Sequence, residues 1–329
     1  MYTAKDEGRD RMIIDHQAHF HPPEFFELLL ERTEYPFATR TQDGYLLHFS
    51  PELSQPFTQA HLDLDHHLAD MDRHGVDIAV MSPVGIGEAP NMSRRDAVEG
   101  LDKLNGMMAN AQRAHPDRVR ALAVLPVAYP KDAVEVLDQA ILEHGLHGVC
   151  LFSSVNGRPA VTKALQPLFR RMEELDVPLF LHPPLVSSVF GQSDTFAADR
   201  GLGWMYDTSL AAMSLIELGV LDECPRLQVV HPHAGGVIPH IAGRVAAGWR
   251  RDGDQLGSRR VEQLRTRVFT DSVTPTPGAL DLACRTYGTE HVLFATDYPW
   301  QPREPMFRYL DEHVLPAQKK QILGNSIRW

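Results

Sequence analysis

The sequence predicts a (β/α)8 barrel, an α/β fold of the TIM type, as a single domain over residues 1–329. Eight short apolar runs alternate with longer amphipathic stretches, as expected for parallel strands that are buried on both faces and joined by helices. The length of 329 residues suits one large barrel with additions. No Gly-x-Gly-x-x-Gly follows the first run, which argues against the alternative, an open doubly wound sheet that binds a dinucleotide.

The elements follow from hydrophobic periodicity and from proline and glycine at the boundaries. The predicted strands are residues 11–20, 76–83, 119–127, 147–154, 178–184, 227–236, 268–273 and 292–299. The predicted helices are residues 63–75, 94–118, 129–145, 162–176, 208–224, 237–249 and 276–288. The helix over 129–145 shows the boundary signals best, since it has a proline near its start and a glycine at its end.

Two segments fall outside this alternation. Residues 31–61 are predicted to form an insertion in the first βα loop, over the face where barrel enzymes place their active sites. Residues 301–329 are predicted to form a C-terminal helical tail.

The composition restricts the partners. A net charge of −11 disfavours nucleic acid and anionic membranes, because both require a basic surface. No apolar run approaches the roughly 20 residues that span a bilayer. Cys150, Cys224 and Cys284 are widely spaced and the first residues contain no apolar leader, which predicts reduced thiols in a cytoplasmic protein. A small molecule is therefore the expected partner.

Polar side chains stand at the ends of several predicted strands, where barrel enzymes carry their chemistry. They are Gln17, His19 and His21 on the first strand, His182 on the fifth, His231 and His233 on the sixth and Asp297 on the eighth. Imidazole and carboxylate groups together suit Zn²⁺ or Mn²⁺, so we expect one divalent metal ion.

The first strand has an unusual arrangement of histidines in the stretch "IIDHQAHFHPPEF". Because side chains alternate along a strand, Gln17, His19 and His21 are expected on one face and His16 on the other. The amide of Gln17 is a poor ligand for Zn²⁺ compared with imidazole.

Motifs spread along the chain carry a family resemblance. They include the opening "IID…H…PPEF", then "DVPLFLHPP", "CPRLQVVHPHAGGVIPHIAGR", "VLFATDYPW" and the closing "ILGNSIRW". With these motifs the chain resembles the amidohydrolase-related family typified by aminocarboxymuconate-semialdehyde decarboxylase. The resemblance implies a (β/α)8 barrel with one divalent metal ion that decarboxylates, hydrates or hydrolyses small carboxylated cyclic or unsaturated molecules.

The resemblance also implies roles for individual residues. His182 matches a metal ligand, Asp297 matches a ligand that also moves protons, and His233 matches a histidine that acts on the substrate or on metal-bound water. The family's first-strand pattern places a ligand at His19 and puts Gln17 where another histidine is usual. Two alternatives follow: a metal held by His19, His182 and Asp297 with Gln17 or His21 as the fourth ligand, or a metal-poor site that works through its histidines and Asp297.

The predicted function is decarboxylation of a small carboxylated cyclic or unsaturated substrate. The alternatives are a metal-dependent hydrolase of a lactone or amide and a non-catalytic ligand-binding barrel. An arginine can hold a carboxylate and a tryptophan can stack on a ring. The predicted substrate-binding residues are His21, Arg94, Trp204, Trp300 and His231.

Barrels of this family often pair, so a homodimer is compatible with the sequence.

Overall fold

The computed structural model describes residues 11–51, 53–85, 93–185, 187–188, 199–274 and 276–329. The chain forms two compact units, one of Met1–Cys150 with Asp297–Arg303 and one of Leu151–Thr296 with Glu304–Trp329. The single-domain organisation therefore stays a prediction. No helix among the described residues has the length and apolar character needed to cross a membrane.

The first unit contains a parallel sheet in the order β1–β5–β6–β7. All residues of β5 and β7 are buried, as expected for strands covered on both faces. In chain order the elements are β1 (Ile14–His19), α1 (Pro23–Leu30), β2 (Phe37–Thr41), β3 (Gly44–His48), β4 (Ser54–Thr58), α2 (Gln59–Leu62), α3 (Leu64–His74), β5 (Ile78–Ser82), α4 (Arg94–Ala114), β6 (Val119–Val124), α5 (Pro130–Asp138), a π-helical turn (Gln139–Glu143) and β7 (Gly148–Phe152).

The predicted insertion over residues 31–61 folds into an antiparallel sheet, β2–β3–β4. Side chains of β3 alternate between buried and half-buried, as expected for a sheet with one covered face. Tyr45 and Leu47 from β3 and Phe57 from β4 supply the buried side. The insertion was predicted without its strands because its short strands lack long apolar runs.

Strand β1 has one extra residue in its pairing with β5. Asp15 pairs with Ala79 and Ala18 with Met81, so three steps along β1 match two steps along β5. Such a bulge redirects the side chains beside it and interrupts strict alternation. The simple period-two geometry expected for Gln17 and His19 is therefore altered by the bulge.

The second unit contains the parallel order β10–β11–β12–β13 and the hairpin β8–β9. Its elements are β8 (Ser154–Val155), β9 (Arg158–Pro159), a 3-10 turn (Lys163–Leu165), α6 (Gln166–Leu175), β10 (Leu179–His182), a π-helical turn (Asp199–Gly203), α7 (Trp204–Glu217), α8 (Val220–Glu223), β11 (Val229–His231), α9 (Pro232–Gly235), α10 (Ile238–Arg250), α11 (Asp254–Arg267), β12 (Val268–Asp271), α12 (Ala279–Tyr287), a 3-10 turn (Thr289–His291), β13 (Val292–Leu293), α13 (Arg303–His313) and α14 (Pro316–Gly324).

Each of the eight predicted strands coincides with one of these parallel strands, and α13 and α14 form the predicted helical tail. The sixth strand ends earlier than predicted because Pro232 follows His231 and cannot donate to a ladder. Helix α11 was not predicted, since its charged sequence "DQLGSRRVEQLRTR" has few apolar residues at helical spacing.

Candidate active site

In the first unit, His19 at the end of β1 contacts Asp297. The His19 Nε2 atom lies 2.9 Å from Asp297 Oδ1. His19 is fully buried, and 13% of the Asp297 side chain is exposed. The sequence placed both residues at strand ends, and the structure brings them into direct contact.

The other ring nitrogen of His19 lies beside a carbonyl oxygen and a hydroxyl oxygen of Ser82. Nδ1 lies 3.3 Å from the Ser82 carbonyl oxygen and 3.1 Å from the Ser82 hydroxyl oxygen at the end of β5. A carbonyl oxygen only accepts, so the tautomer with its proton on Nδ1 donates to this carbonyl and leaves the lone pair on Nε2, where a metal ion would bind. The tautomer with its proton on Nε2 donates to Asp297 and accepts from the Ser82 hydroxyl. A histidine that donates its other N–H to a carbonyl is the usual support for a metal ligand.

The backbone of Asp297 has a left-handed conformation, with φ of 64°. This conformation is rare for residues other than glycine and concentrates at functional sites. Gln17 holds Asp297 on two sides: its carbonyl accepts from the Asp297 N–H at 2.8 Å, and its Nε2 donates to Asp297 Oδ1 at 3.3 Å. Gln17 thus supports the carboxylate from the position where the family usually has a histidine.

In the second unit, His182 ends β10 with the same internal arrangement as His19. Its Nδ1–H donates to the Pro183 carbonyl oxygen at 2.8 Å, so the neutral ring presents Nε2. The His182 ring lies 6.5 Å from the ring of His233, measured between centroids. The second unit therefore brings a candidate metal ligand close to the predicted catalytic histidine.

His233 lies in a strained turn after β11. His233 and Ala234 both have left-handed backbones, with φ of 56° and 51°. Asp271 on β12 accepts from the Ala234 N–H at 3.3 Å and from the Val273 N–H at 3.0 Å, which supports the turn. A supported turn of this kind fixes the direction of the His233 side chain.

His231, two residues before His233, is fully buried beneath this turn. Its Nδ1 lies 3.0 Å from the hydroxyl oxygen of Tyr287 on α12. Burial, followed by the proximity of His233, lowers the pKa of His231 to about 3, so its ring is neutral. Its contacts favour a positioning role, and the predicted binding of substrate by His231 stays a prediction.

His21 and Trp300 belong to a cluster of four aromatic rings in the first unit. The ring centroids of His21 and Phe57 are 4.7 Å apart, and those of His61 and Trp300 are 4.3 Å apart. His21 Nε2–H donates to the Val84 carbonyl oxygen at 2.7 Å. We call His21, Phe57, His61 and Trp300 the four-ring cluster.

The first unit also contains a buried cation, Arg303. Arg303 is fully buried; its Nε lies 3.1 Å from Asp15 Oδ2 and its Nη1 lies 2.7 Å from Asp70 Oδ1. The guanidinium carbon also lies 4.1 Å from the centroid of the Tyr298 ring. Arg303 thereby ties β1 and α3 to the segment that carries Asp297.

Arg94 and Trp204, both predicted to bind substrate, do not take part in the contacts described above. Arg94, at the start of α4, has an exposed side chain that forms two hydrogen bonds to Asp132, of 2.8 and 2.7 Å. Trp204 is the first residue of helix α7. Their binding of substrate stays a prediction.

A model of the Amidohydrolase family matches residues 14–328. The chain belongs to the Amidohydrolase family. This amidohydrolase is 28% identical over 271 residues to the 2-amino-3-carboxymuconate-6-semialdehyde decarboxylase of Dictyostelium discoideum, covering 80% of this chain and 75% of the relative.

Solved structures share the fold. The amidohydrolase chain matches Metarhizium anisopliae IDCase in its apo form with a TM-score of 0.80 and 22% identity, over 96% of this chain and 95% of that one. It matches the 5-carboxyvanillate decarboxylase of Novosphingobium aromaticivorans with a TM-score of 0.76 and 20% identity, over 98% and 96% of the two chains. That decarboxylase was crystallised with manganese and 4-hydroxy-3-methoxy-5-nitrobenzoic acid. The predicted family, the (β/α)8 fold and the prediction of an enzyme of the amidohydrolase superfamily are confirmed.

Sequence reasoning missed three residues that shape the amidohydrolase site. Ser82 is a polar residue at a strand end, and the rule that found His19 could have found it. His61 lies in the insertion, where no strand pattern gave its direction. Arg303 has no sequence signal, because a single arginine in a helical tail is usually exposed.

Replacing Gly235 by alanine is expected to destabilise the amidohydrolase by about 1–3 kcal/mol, because its side chain would overpack the core. A Cβ atom at this residue would lie 2.4 Å from the Tyr287 ring, and the backbone is left-handed with φ of +80°. Urea unfolding measures the change. Gly243→Ala in α10 is the matched control, since its Cβ meets no atom within 4 Å and should raise stability by up to about 1 kcal/mol. Equal stability of the two variants would contradict the packing argument.

Proposed function

We propose that this amidohydrolase removes CO2 from a small aromatic carboxylate at a site built from strand-end histidines and Asp297. The observation that carries the proposal is the His19–Asp297 pair, in which an imidazole nitrogen lies 2.9 Å from a carboxylate oxygen. The decarboxylases that this chain resembles support decarboxylation over hydrolysis of a lactone or amide.

We propose His19, His182 and Asp297 as the ligands of one divalent ion. The residues fit such an ion because each histidine has a backbone carbonyl within hydrogen-bond distance of Nδ1, which leaves Nε2 for a metal ion. A cation bound by His19 Nε2 and Asp297 would favour the His19 tautomer in which Nδ1–H donates to the Ser82 carbonyl. In this proposal Gln17 supports Asp297, and His21 is assigned to substrate binding.

Zinc and manganese are the candidate ions, and the manganese bound by the Novosphingobium decarboxylase supports the second. A bound divalent ion would supply positive charge that holds the substrate carboxylate in the site. Asp297 takes up a proton from solvent before each turnover and delivers it to the ring carbon that bears the carboxylate. The bond between that carbon and the carboxylate breaks, its electron pair restores the aromatic ring, and CO2 leaves.

We assign the roles of His233, Trp300 and His231 from their positions in the structure. His233, fixed by its strained turn, orients the substrate and moves protons. Trp300 provides a flat apolar surface against which an aromatic substrate can stack. His231 holds the turn that carries His233 through its contact with Tyr287.

We further propose a cytoplasmic homodimer that binds neither nucleic acid nor membranes. The net charge of −11 supports the absence of those partners. All three cysteines are buried and none forms a disulfide, which supports a reducing compartment. Light scattering of the purified protein measures the number of chains; a strictly monomeric protein would contradict the dimer.

Removal of divalent metal is expected to abolish CO2 release, and addition of Mn²⁺ or Zn²⁺ is expected to restore it. The test dialyses the purified protein against a chelator, measures metal content, and follows CO2 from hydroxybenzoates alongside hydrolysis of lactones and amides. Anomalous scattering should place the ion against His19 and Asp297. Full CO2 release from metal-free protein would favour the metal-poor alternative, and turnover of only lactones or amides would identify a hydrolase.

A further inference from the structure

The four-ring cluster contains two histidines whose ring centroids are 5.9 Å apart, His21 and His61. Phe57 lies 4.7 Å from His21 and 5.6 Å from His61, and Trp300 lies 6.2 and 4.3 Å from them. Both histidines are more than nine-tenths buried. The cluster is therefore an apolar environment that contains two polar rings.

His61 presents a hydrogen-bond donor. Its Nδ1 accepts from the Thr58 backbone N–H at 3.2 Å, so the proton of the neutral ring is on Nε2. Burial, followed by the charge interaction with His19, lowers the pKa of His61 to about 4, in agreement with a neutral ring. The buried Nε2–H has no acceptor among the described residues.

His21 presents a hydrogen-bond acceptor. Its Nε2–H donates to the Val84 carbonyl oxygen, so Nδ1 of the neutral ring carries the lone pair. Within the part of the chain that the structure describes, Nδ1 has no donor.

A buried donor and a buried acceptor in one cluster are unfavourable unless something binds both. A hydroxyl group fits, because its oxygen accepts one hydrogen bond while its hydrogen donates another. An oxygen that bridges two imidazole nitrogens at ordinary hydrogen-bond lengths places the ring centroids roughly 6 to 8 Å apart, close to the observed 5.9 Å. Phe57 and Trp300 would pack against the ring that carries such a hydroxyl.

We propose that His21 and His61 bind a phenolic hydroxyl group of the substrate, with His61 Nε2–H donating to its oxygen and His21 Nδ1 accepting its hydrogen. This inference rests on the proposed function and narrows the substrate to hydroxylated aromatic carboxylates. It also gives the insertion over residues 31–61 a role in specificity, since that segment supplies both His61 and Phe57.

The test compares each of 2-, 3- and 4-hydroxybenzoate with its methyl ether by calorimetric binding to the full chain. A methyl ether can accept from His61 but has no hydrogen to donate to His21. We expect at least one hydroxybenzoate to bind roughly 10- to 100-fold more tightly than its ether. His21→Leu should reduce that ratio to near one, and His61→Phe should weaken both ligands of the pair.

His48→Leu is the matched control, because His48 lies on β3 of the same insertion outside the four-ring cluster and should leave the ratio unchanged. His61→Gln retains an N–H donor and should retain part of the affinity, which separates lost hydrogen bonding from misfolding.

Three outcomes would overturn the proposal. They are a ratio near one for all three pairs, no binding of any hydroxybenzoate, and a ratio preserved in His21→Leu. In the first case the histidines would hold an internal water instead. CO2 release is measured separately: hydroxyl preference without CO2 release would refute the proposed reaction alone, and CO2 release without hydroxyl preference would refute this inference alone.

Discussion

Replacing Asp297 by asparagine is expected to lower the turnover number by about 10²- to 10⁴-fold while the protein stays folded. The substitution removes the negative charge and the proton-carrying group at 2.9 Å from His19 Nε2. Asparagine adopts the left-handed backbone more readily than most residues, so the φ of 64° at this position remains accessible. Steady-state CO2 release measures the turnover, and circular dichroism reports the fold.

Asp176→Asn is the matched control for this substitution. Asp176 also has a left-handed backbone, with φ of 54°, but it caps α6 at an exposed position. The control should keep full turnover. Unchanged CO2 release in Asp297→Asn would show that the carboxylate is not needed for the reaction and would remove Asp297 from the site.

Replacing Arg303 by methionine is expected to lower the free energy of unfolding by about 3–5 kcal/mol. The guanidinium is fully buried between Asp15 and Asp70, so its loss leaves two carboxylates in a low-dielectric environment without this cation. The contact with the Tyr298 ring is lost as well. The midpoint of urea unfolding measures the change.

Arg285→Met provides the comparison. Arg285 on α12 pairs with Asp281 at 2.9 Å, but three quarters of its side chain is exposed. Solvent screens such a pair, and its loss should change the free energy of unfolding by less than about 1 kcal/mol. If Arg303→Met were no more destabilising than Arg285→Met, the buried ion pairs would not contribute to stability as argued.

The barrel strands could be predicted because parallel strands covered on both faces need continuous apolar runs, which are visible in one sequence. The strand-end rule then selected His19, His182, His233 and Asp297 as candidate site residues. Boundaries were less accurate where backbone geometry changed locally. The predicted strand over 227–236 continued through the left-handed turn at His233, whose conformation depends on support from Asp271 on another strand.

The features that escaped prediction depend on contacts between distant segments. The bulge in β1 follows from its pairing with β5, so the sequence of β1 alone could not indicate it. The role of Gln17 as a support of Asp297 depends on a residue 280 positions away. The position of His61 depends on three short strands whose polar residues hide their alternation.

The contact between His19 and Asp297 has a consequence for the time at which the active site comes into existence. The two residues are separated by 278 positions, and closing a flexible chain of that length has an entropy cost of roughly 5 kcal/mol. During synthesis, the imidazole leaves the ribosome long before its carboxylate partner has been made. Any ion that needs both groups can bind only to a nearly finished chain, so acquisition of the ion would mark the completion of folding.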